Sequence, residues 1–139
     1  MQQRERILEA AAEVVGRRGY QAASIREIAV RAGVAVGTIY IYFAGKRELL
    51  LAFVDRLAAE QPQPVDRATV PGSREGFERF VMHELKFLRQ NRLFAAPVLT
   101  EAVFDDELSA IVKRQLTRPG RSRMREALAA CGAEDPAAA

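Results

Sequence analysis

The residues that could do chemistry in this chain are concentrated between positions 24 and 46. Hydrogen-bonding or cationic side chains occur there at Ser24, Thr38, Tyr40, Tyr42 and Lys46. Such groups reach phosphate oxygens, which fix the register of a protein on a duplex without reading its sequence. The small or apolar residues Val36, Gly37 and Ile41 can approach base edges closely and sense thymine methyl groups. This combination is typical of a surface that contacts double-stranded DNA.

Lys46 is placed at the predicted start of a helix. A cation there opposes the helix macrodipole, at a cost of roughly 0.3–1 kcal/mol. A phosphate would turn this cost into a gain, because the helix amides and the ammonium would both face it. The alternative is a solvated lysine with Glu48 or Glu5 nearby. The position of the lysine fits either interpretation.

Two short helices joined by a tight turn are predicted to position these residues. Ser24-Ile25-Arg26-Glu27 reads as a capping box, which begins a helix at Ile25. Gly33 ends that helix, because a sharp turn needs a residue that tolerates positive φ. A second helix of about Val36 to Tyr42 follows, with a small Ala29 at the crossing and an apolar Ile39 to seal the angle. This order predicts a helix-turn-helix.

The rest of the chain shows helical periodicity and no useful period-2 pattern, which predicts an all-α fold. Gly19 is predicted to end the first helix and Lys46 to begin the fourth. The further predicted helices cover 4–18, 46–60, 73–90, 93–104, 106–116 and 122–130.

Composition and charge narrow the class of protein. Hydrophobic residues make up 49% of the chain, and the single cysteine, Cys131, excludes an internal disulfide. No stretch approaches the roughly 20 apolar residues that span a bilayer, and the N-terminus is not that of a signal peptide. We therefore expect a cytoplasmic protein without a membrane partner. Residues 1–50 hold eight basic and five acidic side chains, so the whole net charge of +3 lies in this part of the chain. A polyanion would therefore bind to this part first.

The sequence favours a binding protein over an enzyme. It contains no phosphate-binding loop, no nucleophile paired with a base and no cluster of metal ligands, so no cofactor and no metal are expected. His83 is the single histidine, and it either lines a cavity or lies on the helix surface. Cys131 is expected to be a small, half-buried side chain.

Large apolar residues are unusually frequent after residue 76. Three short helices do not need so many for mutual packing, and few charges are interleaved, which predicts a pocket for a small hydrophobic effector. The candidate lining residues are Phe77, Phe80, His83, Phe87, Phe94, Val98, Phe104 and Leu108, with Leu88 and Leu99 nearby.

Residues 4 to 57 resemble the DNA-binding domain of the tetracycline-repressor (TetR) family. The matching residues are Arg6-Ile7-Leu8-Glu9-Ala10-Ala11, Gly19-Tyr20, Ser24, Ile28-Ala29, Ala32-Gly33-Val34, Gly37-Thr38-Ile39-Tyr40, Tyr42-Phe43, Lys46 and Leu49-Leu50. The resemblance implies three N-terminal helices that bind DNA and a fourth that joins them to a helical body, which binds an effector and dimerises. It also supports phosphate contacts for Tyr40, Tyr42 and Lys46.

This sequence departs from the family pattern at two positions before the third helix. Ala35 stands where the family often has Ser, which removes one hydrogen bond to the backbone or to a phosphate. Val36 stands where the family often has a polar or basic residue, so a base contact there has to be apolar.

The resemblance divides the chain at residue 45. Residues 1–45 are predicted to be the helix-turn-helix DNA-binding domain, and residues 46–139 the effector-binding regulatory domain. The sequence to Ala139 does not reach the last two family helices, which build the dimer interface; it is either a truncated sequence or a short variant. We expect these 139 residues to form the family homodimer poorly. We expect a sequence-specific DNA-binding regulator, in this family most often a ligand-responsive repressor. The alternative is a helical interaction module that kept the scaffold without specific DNA binding.

Overall fold

The computed structural model describes residues 2–61, 74–118, 122, 125, 126 and 129, and within them the chain is helical. The helices are α1 (Gln2–Arg18), α2 (Ile25–Ala32), α3 (Val36–Tyr42), α4 (Lys46–Ala59), α5 (Arg74–Gln90), α6 (Arg92–Ala102) and α7 (Asp106–Val112), with a π-helical segment (Lys113–Thr117) directly after α7. The all-α prediction is confirmed. The helix predicted for 122–130 lies largely outside the described residues, and Cys131 lies wholly outside them.

Two predicted helices differ in extent from the observed ones. The helix predicted for 93–104 ends at Ala102, since a turn begins at Val103. The helix predicted for 106–116 changes its hydrogen-bonding pattern at Lys113, where the π-helical segment begins. Asp105 caps α7 by accepting a hydrogen bond of 2.8 Å from the Leu108 amide.

Helix α1 lies at the centre of the packing. Its buried face includes Ile7, Leu8 and Ala11, and the small side chains on it let α2, α4 and α6 pack closely. Most of the buried residues form one cluster that runs from Ile7 to Val112, so the helix-turn-helix and the helices after it share a core.

Phe94 belongs to that shared core and not to an effector pocket, which corrects the prediction for this residue. Its ring packs edge-to-face on Phe53, with centroids 5.3 Å apart and planes at 73°. The Arg56 guanidinium lies 4.5 Å above the same ring. These contacts join α6 to α4, and Phe94 is 8% exposed.

Candidate nucleic-acid interface and effector cavity

The helix-turn-helix, residues 24–43, begins with a complete capping box. The Glu27 amide donates a hydrogen bond of 3.2 Å to Ser24 Oγ, and the Ser24 amide donates one of 3.0 Å to Glu27 Oε2. The hydrogen bonds from the Ser24 hydroxyl and amide hold the pKa of the Glu27 carboxyl below its ordinary value, with Arg18 as a weaker cause. The start of α2 is therefore fixed by local contacts.

The turn between α2 and α3 depends on Gly33. This residue has φ +66°, in the left-handed region that L side chains rarely adopt. Its amide donates to the Val30 carbonyl at 3.2 Å, and the Val34 amide donates to the Ala29 carbonyl at 3.0 Å. Ala29 is 2% exposed, as a close helix crossing requires.

Helix α3 presents most of its surface to solvent. Within Val36–Tyr42 the buried residue is Ile39, which is fully buried against the core, as predicted. Val36 is 39% exposed, Tyr40 54% and Ile41 77%. A Cβ placed on Gly37 would have no atom within 4 Å, so the backbone there is open to close approach. This surface has the shape and residue types of a base-reading surface.

The hydroxyls of Ser24, the N-cap of α2, and of Tyr42, the last residue of α3, are already engaged. The Ser24 hydroxyl donates to Glu27 Oε2 at 2.9 Å. The Tyr42 hydroxyl donates to Gln3 Oε1 at 3.3 Å, which ties the end of α3 to the start of α1. Thr38 is half-buried and Tyr40 is exposed. Tyr40 is therefore the predicted phosphate ligand with the freest hydroxyl.

In the structure, the ammonium group of Lys46 is bound by other parts of the protein. Its ammonium donates to three backbone carbonyls, those of Tyr20 at 2.8 Å, Gln21 at 3.0 Å and Ala23 at 2.9 Å. The Tyr20 ring lies 4.9 Å away. No local pattern around Lys46 indicates these partners, because the carbonyls belong to a loop more than 20 positions earlier in the chain. These contacts do not test the phosphate contact expected of Lys46, which stays a prediction at this point.

Arg26 is a candidate contact that the sequence reasoning missed. It is exposed in the first turn of α2 and, within the described residues, makes no hydrogen bond, ion pair or ring contact. Neighbouring cations are engaged: Arg18 pairs with Glu27 at 2.8 Å, and Arg6 donates to the Ala32 carbonyl at 3.0 Å. The signal was available, since a cation in the first turn of a capped helix-turn-helix lies where the first helix crosses the DNA backbone.

Three polar contacts join the helix-turn-helix side of the fold to the corner between α6 and α7. Gln21 Nε2 donates to Glu101 Oε2 at 2.7 Å. Arg47 donates to Asp105 and, at 2.7 Å, to Glu107. The hydrogen bond from Arg47 lowers the pKa of the Asp105 carboxyl and raises that of the Arg47 guanidinium. Burial raises the pKa of the Tyr20 phenol, with the Glu101 charge as a second cause.

A cavity of about 200 Å³ lies between α4, α5, α6 and the π-helical segment. Its apolar lining includes Leu57, Phe87, Leu88, Ala95, Val98, Leu99, Val112 and Leu116. Gln61 also lines it, with its amide nitrogen donating to the carbonyl of Leu116 at 3.2 Å. A space of this size and lining suits a small apolar molecule.

The cavity includes Phe87 and Val98 from the predicted set, together with the neighbouring Leu88 and Leu99, but not the other six predicted residues. Phe80 and Leu108 are buried, and Leu108 belongs to the core cluster. Phe77 is half-buried on α5, and Phe104 is 83% exposed in the turn after α6. Together with Phe94 these positions are corrected, because hydrophobicity alone does not say which side chains fill a core and which border a space.

His83 is exposed on the outer face of α5, so of the two alternatives the surface position is the observed one. It lies in an open groove with Met82, Leu85 and Lys86 that is separate from the cavity. In the described part of the chain, no three histidine, cysteine or acidic side chains are grouped as a metal site would need. None of the described helices has the length and hydrophobicity needed to cross a bilayer.

Comparison with known proteins agrees with the helix-turn-helix geometry. Residues 7–53 match the family model described as bacterial regulatory proteins, tetR family. The HTH-type transcriptional repressor KstR of Mycobacterium tuberculosis is 36% identical over 104 residues, which cover 73% of this chain and 45% of KstR. The HTH-type transcriptional activator FasR of Mycolicibacterium smegmatis is 32% identical over an alignment of 142 positions, and the match covers 88% of this chain and 65% of FasR.

The fold is also found in a solved structure. The crystal structure of an HlyIIR mutant protein superimposes with a TM-score of 0.76 at 23% sequence identity, covering 93% of this chain and 70% of that one. The chain spans about half the length of the KstR relatives that it matches. The matched domain, the helix-turn-helix and the relatives agree: the chain belongs to the tetR family of bacterial regulatory proteins.

Proposed function

We propose that this protein is a sequence-specific DNA-binding transcriptional regulator, and that it acts as a ligand-responsive repressor. The observation that carries the proposal is the exposure of α3, which is anchored through Ile39 while Val36, Tyr40 and Ile41 face solvent. A short helix with this exposure, after a capped helix and a tight turn, is the unit that enters the major groove. Such a protein works where the chromosome is, in the cytoplasm.

The contacts divide into reading and positioning. Val36, Gly37 and Ile41 read bases, since their small or apolar surfaces reach thymine methyl groups. Thr38, Tyr40 and Arg26 contact phosphates and set the register. Ser24 and Tyr42 act mainly through the internal hydrogen bonds that hold α2 and α3 in place.

The proposal assigns DNA reading to residues 1–45 and the effector response to residues 46–139. A pair of chains would read two half-sites about 34–36 Å apart, one per recognition helix. The cavity beside Phe87, Val98 and Leu99 takes the effector. Because a cavity of roughly 150 Å³ is enough for benzene, a volume of about 200 Å³ suits a single ring with a short side chain.

Selection from a random pool of duplexes tests the DNA-binding proposal most directly. The full chain should enrich one motif, and that motif should bind more tightly than a scrambled duplex of the same length by a factor of at least about 10³. Enrichment of no motif, with weak and sequence-blind binding, would instead support a helical interaction module that kept the scaffold without reading DNA.

The effector proposal is tested with monocyclic aromatic compounds that carry short alkyl groups. Titration calorimetry should detect binding to the wild type, and the compound that binds should release the selected duplex. Ala95→Leu places extra atoms in the cavity and should abolish both effects while leaving DNA affinity intact. Ala96→Leu, one residue further on the exposed side of α6, is the matched control. Equal ligand binding by Ala95→Leu and the wild type would place the ligand elsewhere.

A further inference from the structure

We infer that Lys46 is a positioning residue for DNA binding, which clamps the loop before α2 and does not contact the duplex. The inference rests on the proposed function and deepens it, because it names a residue that presents the reading surface. It reverses the expectation that a lysine at the start of α4 neutralises a phosphate.

The hydrogen-bonding capacity of the ammonium is fully used inside the protein. A lysine has three N–H donors. Here the carbonyl oxygens of Tyr20, Gln21 and Ala23 accept them at 2.8–3.0 Å. The face of the Tyr20 ring, 4.9 Å from Nζ, offers a further favourable contact. A phosphate could be bound only by taking Nζ away from one of these partners.

The clamped loop leads directly into the helix-turn-helix. Ala23, whose carbonyl accepts from Lys46, precedes Ser24, the N-cap of α2. Lys46 is itself the first residue of α4. The clamp therefore joins the start of α2 to the start of α4, and α3 lies between these two points in sequence.

A second contact holds the far end of α2. Arg6 on α1 donates to the Ala32 carbonyl at 3.0 Å, next to the turn at Gly33. With Lys46 at one end and Arg6 at the other, α2 is held at both ends, and the orientation of α3 follows from it. Loss of the Lys46 clamp leaves the core side chains in place but releases the N-terminal end of α2.

Exchange of lysine for arginine separates positioning from phosphate contact. A guanidinium binds phosphate at least as well as an ammonium does. It is planar, however, and its donors form a rigid fork, so it cannot converge on three carbonyls as a compact ammonium does. Lys46→Arg preserves the charge and the affinity for phosphate while it removes the clamp.

The experiment compares the wild type with Lys46→Arg and Lys46→Met on the duplex selected by the wild type. Dissociation constants are measured over a salt series and corrected for the active fraction. Lys46→Arg should weaken binding roughly tenfold, since the hydrogen bonds at stake involve a charged group, with the slope of log K against log salt unchanged. Lys86→Arg, an exposed lysine on α5, is the matched control and should bind like the wild type.

Amide hydrogen exchange tests the clamp without DNA. The Ala23 amide, which donates to the Gly19 carbonyl at 3.1 Å, and the Ser24 amide should exchange several times faster in both Lys46 variants. Amides of α5 should be unaffected. Wild-type affinity in Lys46→Arg, or unchanged exchange at Ala23 and Ser24, would overturn the inference. If the wild type selects no duplex, the proposed function is refuted instead. The clamp is then tested by the amide exchange rates alone.

Discussion

Gln21 and Glu101 are 80 positions apart in the sequence, and a hydrogen bond of 2.7 Å joins the Gln21 side-chain amide to the Glu101 carboxylate. Gln21 lies in the loop that Lys46 clamps, and Glu101 lies in the last turn of α6. The same helix borders the cavity through Ala95 and Val98. The loop before the helix-turn-helix is thus in direct contact with the helix that an effector would touch.

Replacement of Gln21 by Glu should destabilise the protein at neutral pH. Two carboxylates would then face each other, which raises a carboxyl pKa in the folded state. A raised folded pKa means that the penalty is complete above that raised pKa, fades as the pH falls through it, and is almost gone at the ordinary carboxyl value of about 4.3. Urea unfolding at pH 7 and pH 3.5 measures this, with Ala22→Glu as a control that adds the same charge beside it. An equal loss in both variants would contradict the pairing.

The Arg47–Asp105 contact predicts a pH dependence of its own. The pKa of Asp105 is depressed, first by the Arg47 hydrogen bond and then by the Leu108 amide. A depressed folded pKa contributes stability above the ordinary value of 3.8, and this contribution is lost as the pH falls below it. Asp105→Asn keeps a good N-cap and removes the charge. Its unfolding free energy should lie below that of the wild type at pH 6 and converge with it in acid; a gap that widens in acid would be inconsistent with the ion pair.

Ile39 and Ile41 provide a matched test of how α3 is held. Ile39→Ala should cost about 2–5 kcal/mol of unfolding free energy, because the side chain is fully buried. Ile41→Ala should change it by less than about 0.5 kcal/mol, because that side chain is 77% exposed. Denaturant titration gives both values. On the selected duplex Ile41→Ala should lose about 1 kcal/mol of binding and relax one base position.

Arg26 is expected to act through charge alone. Arg26→Met should weaken binding equally on the selected and the scrambled duplex, and it should flatten the slope of log K against log salt by about one unit per half-site. The exposed Arg79 on α5 serves as the control, and Arg79→Met should leave the slope unchanged. A change of base preference in Arg26→Met would show that this residue reads bases.

The helix-turn-helix was predictable because its signals are local. The capping box at Ser24 and Glu27 spans four residues, and Gly33 sets the turn by its own backbone conformation. Ile39 was predictable as an apolar seal because a short helix between exposed positions needs one buried anchor. These elements appear in the structure where the sequence places them, within one or two residues.

The cavity and the role of Lys46 were not predictable in this way. Phe94 and Val98 are four residues apart on α6, yet one packs against Phe53 while the other borders the cavity. Whether a residue of α6 packs against α4 or borders the cavity depends on how the two helices cross. No local sequence pattern encodes this crossing. The partners of Lys46 are backbone carbonyls, which every residue carries and no residue type reveals.

The way α3 is anchored has a consequence for how such a regulator can change over evolutionary time. Ile39 supplies the packing, whereas Gly37 borders open space and Ile41 is almost free of contacts. Substitutions on the open side cost little folding energy, so a duplicated copy can drift there without first losing its structure. In this helix, a substitution can therefore change which DNA sequence is bound without changing the stability of the fold. A new binding preference can arise through a succession of proteins that all fold.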